Sequence, residues 1–442
     1  MTQVWNRSPL PSTDANDEGT LDDWQIADAV HVRLIRDLDD SILRSRDQAR
    51  VREQVEAGAR QIATQLYPSL AGDRKEDVVT VVVDEVLGLG PIEPLLRDPQ
   101  VSEVMVNGSH DVYYERNGLL HEAPARFRDD AHVYKVIDRI VSAIGRHVDE
   151  ASPMVDARLA DGSRVNVVIP PLVPAGPVLT IRRFLGDRYA MDDLVGIGTL
   201  TPEMAQLLEA CVKARLSIVV SGGTGSGKTT LLNSLSAYIP SRERIVTIED
   251  PIELKLQQRH VISMEARPPS TEGRGEVTQR ALLRNSLRMR PDRIIVGEVR
   301  GGESFDMLQA MNTGHDGSLT TVHANSPRDA LSRIENMVLT AGFDLPVAAI
   351  RDQMASAFNV IVQLSRLSDG SRKVVSITEV TGTESNTVTM QDLFQFKQTG
   401  IDAEGRVVGV QRATGIRPTF SDRLKAYGVD LGSELFDVGR WA

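Results

Sequence analysis

The stretch SIVVSGGTGSGKTTLLNSL, residues 217–235, constrains the fold more than any other part of the chain. From Gly222 to Thr229 it has the pattern of a phosphate-binding loop, in which a glycine, four residues and then Gly-Lys-Thr follow one another. Glycines let backbone N–H groups approach a polyphosphate, and a following helix presents the positive end of its dipole. The β-rich run Leu216–Val220 and the helical pattern Thr229–Leu235 supply the required flanks, so we expect an α/β fold.

The loop predicts binding of a nucleoside triphosphate together with Mg²⁺. Lys228 is expected to meet the β- and γ-phosphates as a point charge, and the Thr229 hydroxyl to reach Mg²⁺. GTPases usually carry a base-reading NKxD stretch, and the sequence has none, which favours ATP. The predicted nucleotide-binding residues are Gly222, Gly223, Thr224, Gly225, Ser226, Gly227, Lys228, Thr229 and Thr230.

Apolar strands alternate with helical stretches beyond this loop. The segments RIVTIE, RIIVGE and SLTTVHA are the predicted strands, and their alternation with helices is typical of a doubly wound parallel sheet. We place this domain over residues 201–442, because Thr201 and Pro202 fit the N-cap and first position of a helix. The later segments KVVSITEV and TVTMQDLFQF predict a closing hairpin or small sheet.

The sequence before this domain changes in composition and hydrophobic pattern several times. We divide it into a disordered segment, a helical region, an α/β domain and a linker, which are residues 1–20, 21–74, 75–185 and 186–200. A valine-rich run from residue 78 has the composition of a strand and lies at the beginning of the α/β domain. Asn-Gly pairs at 107–108 and 117–118 predict two β-hairpins in that domain.

Composition and charge narrow the choice of partners and compartment. The chain of 442 residues has 61 acidic and 50 basic residues, so its net charge of -11 disfavours non-specific binding to nucleic acid. Its single cysteine, Cys211, excludes an intramolecular disulfide, and we expect this thiol to be buried on a helix. No apolar run is long enough to span a membrane and no secretory signal is present. We therefore expect a cytoplasmic protein that reaches a membrane through partners.

Two acidic segments follow the loop at predicted strand ends. RIVTIEDPIELKL carries Glu249, Asp250 and Glu253, and MRPDRIIVGEVRGGE carries Glu298. Hydrolysis of a nucleotide needs a carboxylate that orients or deprotonates a water beside the γ-phosphate. In the second segment a glycine precedes a glutamate where many P-loop enzymes have aspartate. Taken alone, each segment also fits an ordinary surface strand end.

Taken together, the motifs indicate a family. GGTGSGKTT, TIEDPIE, RPDRIIVGEVR and TGHDGSLTTVHAN occur in this order over Ser221–Asn325 and resemble the secretion ATPase superfamily of type II secretion, type IV pili and type IV secretion. LGLGPIEPLLRDPQVSEVMVNG, the run from VISMEARPPS to RIIVGE, and EVTGTESNTVTMQDLFQF resemble its Flp/Tad pilus branch, the CpaF-like ATPases. The resemblance covers about residues 75–435. It implies a RecA-like motor domain behind an N-terminal PAS-like α/β domain and a small helical region.

The resemblance also implies roles for individual side chains. Glu253 matches the catalytic glutamate, and Glu298 matches the glutamate that supports Mg²⁺ and its water. Arg164 and Arg182 match first-domain arginines that reach the phosphates. Arg183 departs from the family pattern as a second adjacent arginine, and it leaves the choice between the two open. Alternation along a strand points them to opposite sides.

His315 and His323 lie in the segment TGHDGSLTTVHAN, and four roles are open for them. A metal site would need histidines at helical spacing or a cluster of cysteines and histidines, and no cysteine or third histidine lies near them in the sequence. Acid–base catalysis would be redundant beside Glu253, and a structural role in a turn is a further alternative. The favoured hypothesis is that the segment reports the γ-phosphate to neighbouring elements, as the family's histidine box does.

For function, the resemblance implies a homohexameric ATPase that drives pilus assembly or secretion at the cytoplasmic face. Its expected partners are inner-membrane pilus platform proteins and a cytoplasmic regulator that docks on the N-terminal region, with no direct contact to nucleic acid. A DNA-transfer motor of conjugation or type IV secretion is an alternative. Another alternative is a nucleotide-gated scaffold with negligible turnover, against which the retained Glu253 and Glu298 argue.

Overall fold

The structure is a computed structural model that describes residues 22–38, 47–183, 189–267, 269 and 274–438. The chain divides into two compact units, Met1–Leu185 and Gly186–Ala442. The predicted disordered segment 1–20 lies outside the described residues. None of the helices described is long and apolar enough to cross a membrane.

The part of the first unit that the structure describes begins with the helices α1 (Asp23–Asp37), α2 (Gln48–Leu66) and α3 (Gly72–Leu87). Their apolar faces share one core. The expectation of a strand in the valine-rich run is wrong, because its four buried valines recur at the spacing of one helix face in α3. Burial of that face outweighs the preference of valine for strands. The helix also runs through the predicted boundary between residues 74 and 75.

The rest of the first unit is an antiparallel sheet with a helix packed on it. Its elements are α4 (Glu93–Arg97), β1 (Val101–Asn107), β2 (Asp111–Arg116), β3 (Leu119–Glu122), α5 (Asp130–Ala143), β4 (Met154–Arg158), β5 (Arg164–Val168) and β6 (Val178–Arg182). The strand order is β3-β2-β1-β6-β5-β4. Both Asn-Gly hairpins are confirmed, because these pairs connect β1 to β2 and β2 to β3. The apolar face of α5 completes the core of the sheet.

Polar contacts join the helical bundle to this sheet region. The buried ring of His132 on α5 lies 2.9 Å, Nε2 to Oε2, from the carboxylate of Glu85 on α3. Burial alone would favour the neutral carboxyl, yet the hydrogen bond and charge of His132 hold the pKa of Glu85 below its usual value. Asp28 of α1 forms an ion pair with Arg128. The bundle and the sheet region therefore form one unit.

Among the described residues of the second unit, nine strands form one sheet with helices on both faces. Its elements are α6 (Met191–Gly196), α7 (Pro202–Lys213), β7 (Ile218–Gly222), α8 (Lys228–Ser236), β8 (Ile245–Glu249), β9 (Val261–Glu265), α9 (Gln279–Ser286), β10 (Arg293–Val296), α10 (Glu303–Asn312), β11 (Leu319–Val322), α11 (Pro327–Thr340), α12 (Val347–Ala357), β12 (Val360–Arg366), β13 (Arg372–Glu384), β14 (Thr387–Ile401), β15 (Val407–Ala413) and α13 (Ser421–Ala426).

The strand order of this sheet is β15-β14-β13-β12-β7-β11-β10-β8-β9. The six strands from β12 to β9 are parallel, and β13 to β15 continue as an antiparallel meander. Ile218 and Val220 of β7 enter one apolar core and Val219 enters the other, so each face of the sheet is covered. The predicted parallel strands and closing hairpin are confirmed, and Cys211 is buried on α7.

Part of the predicted linker belongs to the core of this unit. Residues 189–200 contain the short helix α6, and Met191, Leu194 and Leu200 are buried in the same core as α7. The hydroxyl of Thr201 accepts a hydrogen bond from the Met204 N–H at 3.3 Å, which confirms the predicted N-cap of α7. The described part of the linker is therefore anchored to the second unit.

Candidate functional site

The segment between β7 and α8 has the backbone of a tight loop. Gly225 and Gly227 have φ values of 68° and 95°, in the left-handed region that favours glycine. A Cβ atom at Gly222 would lie 2.8 Å from the carbonyl oxygen of Leu364 on the neighbouring β12. The positive φ values therefore favour glycine at residues 225 and 227, and the close contact with β12 favours glycine at residue 222.

Two side chains at the beginning of α8 occupy the mouth of the loop. The ammonium of Lys228 donates to the carbonyl oxygens of Gly222 at 3.0 Å and Gly223 at 2.9 Å. The hydroxyl of Thr229 donates to the carboxylate of Glu253 at 3.0 Å. The fold thus brings the loop threonine into direct contact with the carboxylate that the sequence singles out for catalysis.

Glu253 owes its place to the neighbouring acid Glu249, the last residue of β8. The Glu249 carboxylate is 2% exposed and accepts from the Thr247 hydroxyl at 2.9 Å and from the N–H groups of Glu253 at 2.7 Å and Leu254 at 2.8 Å. Burial raises the pKa of Glu249, while these hydrogen bonds oppose the rise. The two acids therefore differ in task, because Glu249 fixes the turn and Glu253 faces the loop.

Glu298 lies at the same edge of the sheet, two residues beyond the end of β10. At the residue before it, Gly297, a Cβ would lie 3.0 Å from Cγ of the buried Glu249, so a larger residue would require that side chain to shift. This packing favours a glycine before the glutamate. The Glu298 carboxylate accepts from Arg300, with its Oε2 at 2.6 Å from Nη2 and 3.0 Å from Nε.

His323 follows the carboxyl end of β11 and is half-buried at this edge. Burial lowers its pKa, and the positive charges of Lys228 and Arg333 lower it further, so the neutral imidazole is favoured. The backbone of the next residue, Ala324, is held by β12, because the buried Gln363 side-chain amide donates to the Ala324 carbonyl oxygen at 3.1 Å. The charge of the loop lysine therefore acts on the His323 imidazole.

His315 lies before β11, at the opposite edge of the sheet. Its Nδ1 lies 3.3 Å from the Ala310 carbonyl oxygen, and its own carbonyl accepts from the Ser318 hydroxyl at 2.8 Å. The structure therefore does not bring His315 to the phosphate-binding loop, and the expected pairing of the two histidines at one site fails. Across the described residues no three His, Cys, Asp or Glu side chains gather as a metal ion would require.

The two first-unit arginines are neighbours within their own sheet. Arg164 of β5 and Arg182 of β6 are partners in register, and Arg182 is exposed. The adjacent Arg183 turns back into its unit, where its guanidinium donates to the carbonyl oxygens of Asp98 and of Val101, the latter at 2.9 Å. These contacts give Arg183 a local backbone-binding role and leave Arg182 beside Arg164.

The sequence analysis did not single out two arginines that lie beside the loop. Arg366 and Arg372 are register partners at the turn between β12 and β13. Arg372 Nε donates to the Gly225 carbonyl oxygen at 2.9 Å, and Arg366 Nη1 lies 3.4 Å from the position of a Cβ at Gly225. The only sequence signal is the run SRLSDGSRK, which lies far from the loop in the chain.

The chain has a phosphate-binding loop after an inner strand of a doubly wound sheet, and carboxylates lie at the ends of neighbouring strands. These features define the P-loop class of nucleotide-binding proteins. Residues 85–419 match the family described as "Type II/IV secretion system protein", and the chain belongs to this family. The predicted secretion ATPase superfamily and the predicted RecA-like fold class are both confirmed.

Named relatives agree with this assignment. A protein of Mycobacterium tuberculosis, provisionally named a conjugal transfer protein, is 38% identical over 303 residues, which are 67% of this chain and 86% of the relative. Type IV secretion system protein PtlH of Bordetella pertussis is 35% identical over 318 residues, 65% of this chain and 93% of its own. The crystal structure of the pilus retraction motor PilT with bound ADP has a TM-score of 0.50 at 23% identity and covers 66% of this chain and 83% of that one, which shows a shared fold.

Proposed function

We propose that the chain hydrolyses ATP and that this turnover powers Flp/Tad-type pilus assembly or secretion. The observation that carries the proposal is the 3.0 Å hydrogen bond between the Thr229 hydroxyl and the Glu253 carboxylate. In P-loop enzymes the threonine at this place reaches the nucleotide-bound Mg²⁺. A carboxylate in contact with it is therefore close to the γ-phosphate, where a water must be oriented for attack.

The residues present fit a nucleotide with Mg²⁺. Mg²⁺ prefers oxygen ligands, and the Thr229 hydroxyl and the Glu298 carboxylate offer them at one edge of the sheet. When bound, the ion neutralises charge that develops on the phosphoryl oxygens. The chain itself supplies Lys228 against the phosphates, Glu253 to orient and deprotonate the water, and a neutral His323 that responds to the γ-phosphate.

The remaining parts of the proposal concern the assembly. We infer a homohexameric ring at the cytoplasmic face, with Arg164 and Arg182 reaching the phosphates and inner-membrane platform proteins receiving the motion. Arg182 is exposed and its register partner Arg164 is half-buried, and two neighbouring guanidinium groups suit a polyphosphate, because each can donate several hydrogen bonds and stays charged. A cytoplasmic regulator docking on the N-terminal helices completes the proposal, and no direct contact to nucleic acid is part of it.

A transfer motor of conjugation or type IV secretion is the second candidate. It is favoured by the names of relatives, which include conjugal transfer and type IV secretion proteins. The net charge of -11 weighs against direct handling of DNA. Affinity capture from a native membrane extract separates the two, because recovery of a pilus platform protein supports the first candidate and recovery of a DNA-transfer channel supports the second.

The decisive experiment is ATP hydrolysis with Mg²⁺ over a series of protein concentrations, with Glu253→Gln beside the wild type and the exposed Glu404→Gln as control. A specific rate that rises with concentration, is lost in Glu253→Gln and is kept in Glu404→Gln would support an assembled ring. A rate independent of concentration would place a complete site in each subunit. ATP binding without turnover would overturn the hydrolase and favour a gated scaffold.

A further inference from the structure

The first residues of β13 contact the phosphate-binding loop. Arg372 Nε donates to the Gly225 carbonyl oxygen at 2.9 Å. Its Cδ lies 3.4 Å from the position of a Cβ at Gly227, so the side chain runs along the two glycines of positive φ. Gly225 and Gly227 belong to the loop that a polyphosphate would enter, and Arg372 contacts that loop through its backbone.

The next two residues of β13 contact the linker. Lys373 Nζ donates to the Gly198 carbonyl oxygen at 2.6 Å, and the Val374 N–H donates to the Thr199 carbonyl at 2.8 Å. The Gln411 side chain on β15 donates to the same Thr199 oxygen at 2.9 Å and to the Val374 oxygen at 2.8 Å. The end of the linker is thus bonded to the beginning of β13 at more than one atom.

The other end of the same linker segment is bonded to the helix of the loop. The Ser234 hydroxyl, on α8, donates to the Tyr189 carbonyl oxygen at 2.7 Å. Residues 189–200 are therefore held at one end by the helix that begins in the loop and at the other by the strand that contacts it. Arg372 and Lys373 are adjacent residues of β13, about 3.3 Å apart along the strand.

We propose that Arg372 and Lys373 are positioning residues that couple the phosphate-binding loop to the linker. Occupation of the loop by a nucleoside triphosphate moves the Gly225 carbonyl, Arg372 follows it, and Lys373 carries the shift to Gly198. The inference rests on the proposed binding of ATP at this loop. It adds the route inside the second unit by which occupancy reaches the segment that leads into the first unit.

The test measures backbone hydrogen exchange of residues 189–200 in the full chain, with and without Mg²⁺ and a non-hydrolysable ATP analogue, and measures binding of the same analogue. In the wild type the analogue should slow exchange by about tenfold, a coupling within the usual range. Arg372→Ala and Lys373→Ala should bind the analogue within about threefold of the wild type, which is less than ~1 kcal/mol. Both should lose most of the slowing, and kcat should fall while KM stays near the wild-type value.

Conservative variants and a surface control separate coupling from folding. Arg372→Lys and Lys373→Arg keep a cationic donor and should restore part of the slowing. Lys397→Ala removes an exposed lysine of β14 and should behave as the wild type. The coupling would be overturned if Arg372→Ala and Lys373→Ala kept the full slowing of exchange. It would also be overturned if the wild type bound the analogue and its exchange were not slowed. Both outcomes would leave the proposed function standing. Failure of the wild type to bind the analogue would overturn the proposed function and the coupling with it.

Discussion

The two edges of the parallel sheet in the second unit both carry charged residues, and they use them in opposite ways. At the amino edge Arg293 is 0% exposed and its guanidinium is fully engaged, with Glu243 at 2.6 Å, the Gly317 carbonyl at 3.0 Å and the Val212 carbonyl at 2.9 Å. At the carboxyl edge Lys228 rests on two loop carbonyls and stays partly exposed.

The difference follows from what each edge must do. A buried charge is tolerated when fixed partners replace its water, and such a charge then resists displacement. A group that is to receive a ligand must exchange its contacts, so it stays partly exposed, as Lys228 does, and donates to uncharged carbonyl oxygens. The carboxyl edge is also where parallel strands open into loops and where ligands of such folds bind. We therefore expect substitutions at the amino edge to cost stability and those at the carboxyl edge to cost function.

The largest expected effect is at the amino edge. Arg293→Met leaves the buried Glu243 carboxylate without its closest partner, so we expect the free energy of unfolding to fall by about 3 kcal/mol, the lower end of the range for a broken buried pair. Arg215, 3.1 Å from the other Glu243 oxygen, moderates the loss. Urea unfolding measures it, with the exposed Arg242→Met as control. Equal stability of the two variants would contradict the claim that Arg293 at the amino edge stabilises the fold.

The next effect is at the carboxyl edge. Lys228→Ala removes the point charge meant for the phosphates, so turnover should fall by about 10²–10³-fold, as for removal of one preorganised transition-state donor. The free energy of unfolding without nucleotide should change by less than ~1 kcal/mol, because Lys228 is partly exposed and the carbonyls of Gly222 and Gly223, to which it donates, are uncharged. ATPase assays and urea unfolding of the same variant test this. A large loss of stability with normal turnover would contradict the claim that the carboxyl edge serves function rather than stability.

The two histidines give a matched pair, one at each edge. His323→Ala should retain nucleotide affinity and lose about tenfold or more in kcat, which is at least ~1.4 kcal/mol in the barrier. His315→Ala should keep kcat within about threefold, because its ring contacts a backbone carbonyl at the opposite edge. Steady-state kinetics and direct binding measure both. An equal loss in both variants would mean that the distance between them does not separate their roles.

The smallest expected effect is a pH dependence. Burial and the charges of Lys228 and Arg333 place the pKa of His323 below the usual 6.5, so turnover should fall only as the pH drops below that value. Between the folded and the unfolded pKa the unfolded chain binds more protons, so stability also declines as the pH falls through this window. A kcat profile over roughly pH 5–8 measures this. The fall of kcat at low pH should be absent in His323→Gln. If this variant keeps the fall, a group other than His323 causes it.

Much of the fold was predictable from the sequence because local chemistry dictates it. The backbone of the loop at Gly225 and Gly227 has positive φ values that favour glycine, and the Asn-Gly pairs likewise favour hairpin turns. Strands that end in acids after a phosphate-binding loop lie at one sheet edge, because parallel strands share their direction. The placement of Glu249 and Glu298 at the edge of the sheet that carries the loop follows from that rule, whereas the place of Glu253 also depends on the hydrogen bonds that Glu249 accepts.

Other features were decided only by tertiary packing. The valine-rich run is a helix because the other helices of its bundle cover one face of it, which its composition does not reveal. His315 and His323 occur in one motif, yet a strand of four residues carries them to opposite edges. The contact of Arg372 with Gly225 joins residues 147 positions apart, and no local pattern encodes it. The sequence thus determined which backbone shapes and chemical groups the chain has, and packing across the sheet determined which groups meet, because contacts between distant segments depend on the whole arrangement of strands.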